Sequence, residues 1–192
     1  PVILDNDSSI SISTSSSVEM NYYLKKDDEI IYQLLDSKNF TKLIVGPESQ
    51  EDGIKINEST TLTLLCEDTN DSSSFINLNF DIILEPQIIT EEPPISLNDG
   101  INYVNQKNIY LQLTAPNKDF VYVLGNFNDY KRDDNSLMKI NPNNNKFWIK
   151  INGLITGSDY WYQYEVFSKS PVSDSPIFVK VADPFSNVIL PK

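Results

Sequence analysis

The stretch Phe75-Ile76-Asn77-Leu78-Asn79-Phe80-Asp81-Ile82 alternates apolar and polar side chains from Ile76 onward. A period of two is that of a β-strand with one buried face, so Ile76, Leu78, Phe80 and Ile82 point one way and Asn77, Asn79 and Asp81 the other. The same pattern lies just upstream, where Thr61, Thr63 and Leu65 oppose Leu62, Leu64 and Cys66. Working outward, short apolar or alternating runs predict further strands at 9–13, 18–24, 29–35 and 41–45. In the second half they predict strands at 108–114, 120–124, 137–140, 146–151, 160–167, 177–181 and 187–190. Clusters of Ser, Asn, Asp and Gly separate them, and no long segment carries the 3.6-residue period of a helix. Many short strands broken by turn residues predict an all-β chain of two tandem immunoglobulin-like β-sandwiches.

Charge divides the chain in the same way. The 192 residues hold 27 acidic and 15 basic side chains, a net charge of −12, which repels a phosphate backbone and argues against nucleic acid as a partner. Residues 1–92 hold 18 acidic and 5 basic side chains, whereas residues 93–192 hold 9 and 10. Aromatic residues split the other way, 6 against 15. A shift of this size predicts two modules, an acidic immunoglobulin-like sandwich at 1–92 and a second sandwich at 93–192. Glu85-Pro86 and Thr90-Glu91-Glu92-Pro93-Pro94 form a stiff, charged stretch that reads as the linker.

Several chemistries are excluded by composition. Without histidine the chain builds no Ser-His-Asp triad, Cys-His dyad or His-ligated zinc site. A single cysteine, Cys66, forms no internal disulfide and reads as a small buried hydrophobe. No apolar run reaches the roughly 18 residues that cross a membrane. The chain begins at Pro1 with no signal-peptide pattern, which reads as a processed or truncated piece. Acidic clusters such as Asp5–Asp7, Glu48–Asp52 and Glu67–Asp71 contain the carboxylates that glycoside hydrolysis or calcium binding requires. None has an EF-hand spacing, and solvated loops on an acidic surface are the simpler reading. No cofactor, metal site or catalytic residue is expected.

The second half also carries aromatic residues on faces that do not belong to the core stripes. Phe147, Ile149 and Ile151 share one face, leaving Trp148 and Lys150 on the other. Tyr162, Tyr164 and Val166 share one face, leaving Trp161, Gln163 and Glu165 on the other. An outward tryptophan beside polar side chains is the recipe for a sugar platform, because the C–H face of a pyranose stacks on an aromatic ring while amides and ammonium groups bind the hydroxyls. Outward rings also pack against neighbouring domains, so the two readings stand together for Trp148 and Trp161.

Four motifs follow in order. Val121–Gly125 is a V-Y-V-x-G strand, continued by Asn126-Phe127-Asn128-Asp129-Tyr130. Phe147–Leu154 and Gly157–Tyr164 give a strand, a glycine turn and a return strand, and Ala182-Asp183-Pro184-Phe185 closes the series. Over about residues 99–190 this resembles the N-terminal early-set, starch/glycogen-binding-type β-sandwich of α-amylase-superfamily glycoside hydrolases, branching enzymes and isoamylases. The Ala-Asp-Pro variant most resembles amylase-family proteins of Bacteroidetes. The resemblance implies a non-catalytic module that binds α-glucan or positions a catalytic barrel, in a secreted or outer-membrane-surface protein. The barrel itself needs roughly 250 residues, more than the chain holds.

In that family an aromatic ring at the end of the F-N-x-[WY] turn stacks on glucose, and the resemblance gives this role to Tyr130, next to Asn128. A lysine on the later strand contacts hydroxyls, and Gln163 stands in its place. The second stacking tryptophan has no counterpart in Ser168–Pro176, with Phe178 a distant substitute, and the later asparagine corresponds to Asn187. One ring fewer costs roughly 1–3 kcal/mol by analogy with base stacking, so the expected glucan binding is weak or absent. The carbohydrate-contact candidates are therefore Tyr130, Gln163, Trp148, Trp161 and Asn128. The competing expectation is a spacer or protein-interaction pair with no sugar affinity, its outward aromatics facing a C-terminal catalytic domain.

Overall fold

The computed structural model describes residues 1–170 and 175–186. It is all-β. No helix occurs among the described residues, and therefore none long and apolar enough to cross a membrane. The chain divides into two compact units, Pro1–Glu85 and Pro86–Lys192.

The first unit is a single six-stranded sheet. Its strands are β1 (Val2–Leu4), β2 (Ser9–Lys26), β3 (Glu29–Val45), β4 (Ile54–Lys55), β5 (Thr60–Asp68) and β6 (Phe75–Leu84), in the order β1-β6-β5-β2-β3-β4. β2 and β3 form one long hairpin, turning at Asp27 and Asp28, which both adopt the left-handed backbone that Asp tolerates better than most residues. Four of the expected strands are thus two. Residues 14–17 and 36–40, which read as breaks, stay within β2 and β3, with a register shift between Ser15 and Met20 and a left-handed Asp36.

Those irregularities let the hairpin fold across itself. Tyr22 pairs with Leu34, six residues before Phe40 on β3. In a straight strand six residues span about 20 Å. The Tyr22 and Phe40 rings are 5.4 Å apart, so the hairpin bends to bring its two halves face to face. Ile12, Phe40 and Ile44 from one half accordingly share a core with Tyr22, Leu24, Leu62, Leu64 and Cys66 from the other. Cys66 is buried, as expected, and burial pushes its thiol pKa up.

The second unit is a two-sheet sandwich. One sheet holds β7 (Gly100–Asn105), β8 (Asn108–Leu113), β10 (Lys139–Ile140) and β11 (Phe147–Ile151), in the order β10-β11-β8-β7. The other holds β9 (Phe120–Gly125), β12 (Tyr162–Phe167) and β13 (Phe178–Val181), in the order β13-β12-β9. Leu111, Phe147 and Ile149 of the first sheet meet Val121, Val123, Tyr164 and Val166 of the second in one core, with β11 and β12 turning inward the faces that alternation assigned to it. β7 was not expected from the sequence. The strand expected at 187–190, and Asn187 with it, lies outside the described residues.

The stretch read as a linker is seated on this sandwich. Thr90 forms a parallel bridge to Ile140, the Ile140 N–H donates to the Ile89 carbonyl and the Glu91 N–H donates to that of Ile140. Further on, Gln112 donates to the Leu97 carbonyl, and Asp99 accepts from Thr114 and Lys146. The segment therefore straps the outer face of the β10-β11-β8-β7 sheet.

Candidate functional site

The strap decides the fate of Trp148. Its alternation is as expected, opposite to Phe147 and Ile149, but the outward face is covered. Trp148 is only 3% exposed, its indole N–H donates to the Glu91 carbonyl at 2.8 Å, and its ring lies 5.9 Å from Tyr110 and 5.1 Å from the Lys139 ammonium. A ring with both its edge and its faces engaged offers no sugar platform. Trp148 leaves the set of surface candidates.

The other candidates belong to the opposite sheet. β9 ends at Gly125, which pairs with Tyr162 on β12. A Cβ at Gly125 would sit 2.5 Å from Phe127 and 2.6 Å from the Trp161 carbonyl oxygen, so glycine is required there by close approach. The chain then reverses through Asp129 and Tyr130, both left-handed. Asn128 makes that reversal possible. Its side-chain oxygen accepts from the Gly125 N–H and its amide donates to the Val123 carbonyl, both at 2.9 Å. The amide is consumed by the turn, so Asn128 positions the loop and does not offer its polar groups to a ligand.

Asn126, beside it, ties the turn to the start of β12. Its backbone N–H donates to the Trp161 carbonyl at 3.1 Å, and its side-chain oxygen accepts from the Trp161 N–H at 3.0 Å. Tyr130 is held by its own N–H on the Gly125 carbonyl at 3.0 Å. Tyr130 and Trp161 are thereby anchored to the same strand end, and their side chains are 49% and 39% exposed. Gln163, half-buried, lies opposite Leu124 on the outward face of β12.

That outward face carries more than the sequence reading found. Phe120, Phe167 and Phe178 lie in one cross-strand row, stacked at 4.5 and 5.4 Å between centroids. Tyr122, Glu165 and Lys180 form the next row. Arg132, the only arginine in the chain, reaches from the loop after Tyr130 to the buried Glu165 carboxylate at 2.5 Å, with its guanidinium over Phe167 and Phe178. Lys180 approaches the other carboxylate oxygen at 3.2 Å. A buried carboxylate held by two cations is a strong local clamp. The lone arginine, two residues beyond the aromatic turn, was the available signal for it. Tyr122, in the same row, has its phenol pKa pushed up to about 12, mainly by burial.

On the core side, Ala182-Asp183-Pro184-Phe185 has a structural role. Buried Asp183 accepts from the Tyr162 hydroxyl, more distantly from that of Tyr164 at 3.4 Å, and from the Phe185 N–H at 2.8 Å. Burial, with the neighbouring carboxylate, raises both tyrosine pKa values far above the usual phenol range.

No protein-family model matches the sequence, and no curated protein matches it. Solved structures similar to the chain include the group B Streptococcus pullulanase SAP in complex with maltotetraose, at 16% identity and a TM-score of 0.35. The pullulanase from Anoxybacillus sp. LM18-11 follows at 11% and 0.35, and the FN1–FN3 domains of chicken CNTN1 at 10% and 0.27. The overlap covers 95%, 95% and 94% of this chain and 23%, 25% and 68% of those chains. The chain spans about a quarter of the length of the two pullulanases.

Among the described residues no three His, Cys, Asp or Glu side chains gather to hold a metal ion. The arrangement offers one exposed ring on a hydrogen-bonded turn and a second beside it at the start of β12, an amide on that strand and a buried ion cluster nearby.

Proposed function

We propose that the second unit is a non-catalytic α-glucan-binding module of a secreted or surface α-amylase-family protein, preceded by an acidic all-β unit that spaces it. The observation that carries the reading is the anchoring of Tyr130 and Trp161 to one strand end, both exposed, with their backbones fixed through Gly125 and Asn126. Preformed aromatic surface costs little ordering on binding, which suits a flat carbohydrate face. Gln163 supplies the hydrogen bonds. Tyr130 and Trp161 contribute stacking of about 1–3 kcal/mol each, by analogy with base–aromatic stacking.

Affinity electrophoresis in gels containing amylopectin, glycogen, laminarin or no polysaccharide tests this. Retardation by an α-glucan is expected, with loss in Tyr130→Ala and Trp161→Ala while each variant keeps its melting temperature. Equal mobility in every gel overturns the reading in favour of a spacer that positions a neighbouring domain.

A further inference from the structure

β6 has one satisfied edge and one open edge. β5 pairs with it from Phe75 to Ile82, whereas β1 covers the other side only at Ile82–Leu84. Among the described residues the free edge therefore presents the backbone of Phe75–Asp81 unpaired. Natural sheets blunt such edges with lysine, proline, charge or bulges. Phe75–Phe80 contains no charged residue and no proline, and it pairs with β5 without a register shift. Its apolar stripe is uncovered as well. Ile76 lies opposite buried Cys66 and Leu78 opposite buried Leu64, on the core side of the sheet, yet they are 59% and 37% exposed.

From Ile76 to Phe80 the apolar and polar positions are symmetric about Leu78. Asn77 is matched by Asn79, and Ile76 by Phe80. An antiparallel copy centred on Leu78 therefore sets Leu78 against Leu78, Ile76 against Phe80 and Asn77 against Asn79. Apolar side chains meet on the core face and amides on the other. A twofold interface requires this self-complementarity, and the matched Asn77 and Asn79 with the uncharged Ile76–Phe80 stretch supply it. We propose that β6 is a homodimerisation edge, pairing antiparallel with β6 of a second copy over Ile76–Phe80. The two six-stranded sheets then run into one, and the Ile76–Leu78–Phe80 stripes of the two copies lie side by side in cross-strand contact.

Charge sets the condition for pairing. The first unit holds 16 acidic and 5 basic side chains, a net of −11, so two copies repel at long range. The paired segment itself is uncharged, and salt screens the repulsion without weakening the contact. Association should therefore strengthen with ionic strength.

Sedimentation velocity of the full chain over a range of protein and salt concentrations tests the proposal. A monomer–dimer equilibrium shifted toward dimer by salt is expected. Leu78→Lys, which sets two ammonium groups across the axis, should abolish the dimer while leaving circular dichroism and melting temperature unchanged. Leu78→Cys, with buried Cys66 left in place, should give a disulfide-linked dimer on oxidation, because directly opposed Cα atoms lie about 4.5–5.5 Å apart, within the span a disulfide bridges. A chain that stays monomeric at every concentration overturns the proposal. So does a dimer that Leu78→Lys leaves intact. Neither result bears on glucan binding by the second unit.

Discussion

Trp148 and Trp161 look alike in the sequence, each set outward from an aliphatic stripe, and the structure separates them. Alternation states which side of a sheet a residue takes. It does not state what lies on that side, and the strap around Glu91 covers one and spares the other. Trp148→Phe keeps the ring and strands the Glu91 carbonyl, so it should cost about 1–3 kcal/mol in urea unfolding. Mobility in glucan gels should not change. Loss of glucan retardation at unaltered stability would return Trp148 to the binding surface. Tyr22 gives the opposite sign. Its ring is buried against Phe40, and its hydroxyl has no hydrogen-bond partner among the described residues. A stranded buried hydroxyl costs about 1–3 kcal/mol, so Tyr22→Phe should raise the urea midpoint of the first unit. A lower midpoint would show that the hydroxyl is satisfied in solution.

At the level of elements, the turn after β9 is the clearest case of a motif read correctly in kind and incompletely in role. The sequence displayed a glycine, two asparagines and two aromatics, which is enough to expect a tight presenting turn. It did not display the division of labour, in which Asn128 holds the turn, Asn126 ties it to Trp161, and Tyr130 is left free to reach outward. Those roles depend on β12 lying beside β9, a pairing across more than thirty residues. Gly125→Ala tests the element as a whole. Its new methyl must displace the Trp161 carbonyl, so a loss of about 1–3 kcal/mol is expected, as for other overpacked sites. Glucan affinity should fall with it if the fixed turn carries binding; full affinity in the variant would detach binding from the turn. The long β2–β3 hairpin was less legible. Serine-rich and Asp-Ser-Lys-Asn segments resemble loops, yet here they stay within β2 and β3 as irregular strand, because the bend they allow closes the core.

For the whole molecule, the burial of tyrosine hydroxyls sets the alkaline limit of stability. Tyr122 is raised to about 12, while Tyr162 and Tyr164, packed around Asp183, are raised further, with burial the first cause in each. A phenol whose folded pKa lies above its unfolded value of 10 binds its proton more tightly in the folded state. Its contribution is therefore complete below pH 10 and is lost as the pH climbs toward the folded value. The second unit should hold its stability to about pH 10 and lose it progressively between about pH 10 and 12. The tyrosinate absorbance of Tyr122, Tyr162 and Tyr164 should then appear only above the usual phenol range, together with loss of the near-ultraviolet circular dichroism. Tyr162→Phe removes one of the linked protons but leaves Asp183 with a lost donor, so it should lower stability at pH 7 and flatten the alkaline slope. A single ionisation step, complete near pH 10 with the fold retained, would mean that the Tyr162–Tyr164–Asp183 cluster is open to water.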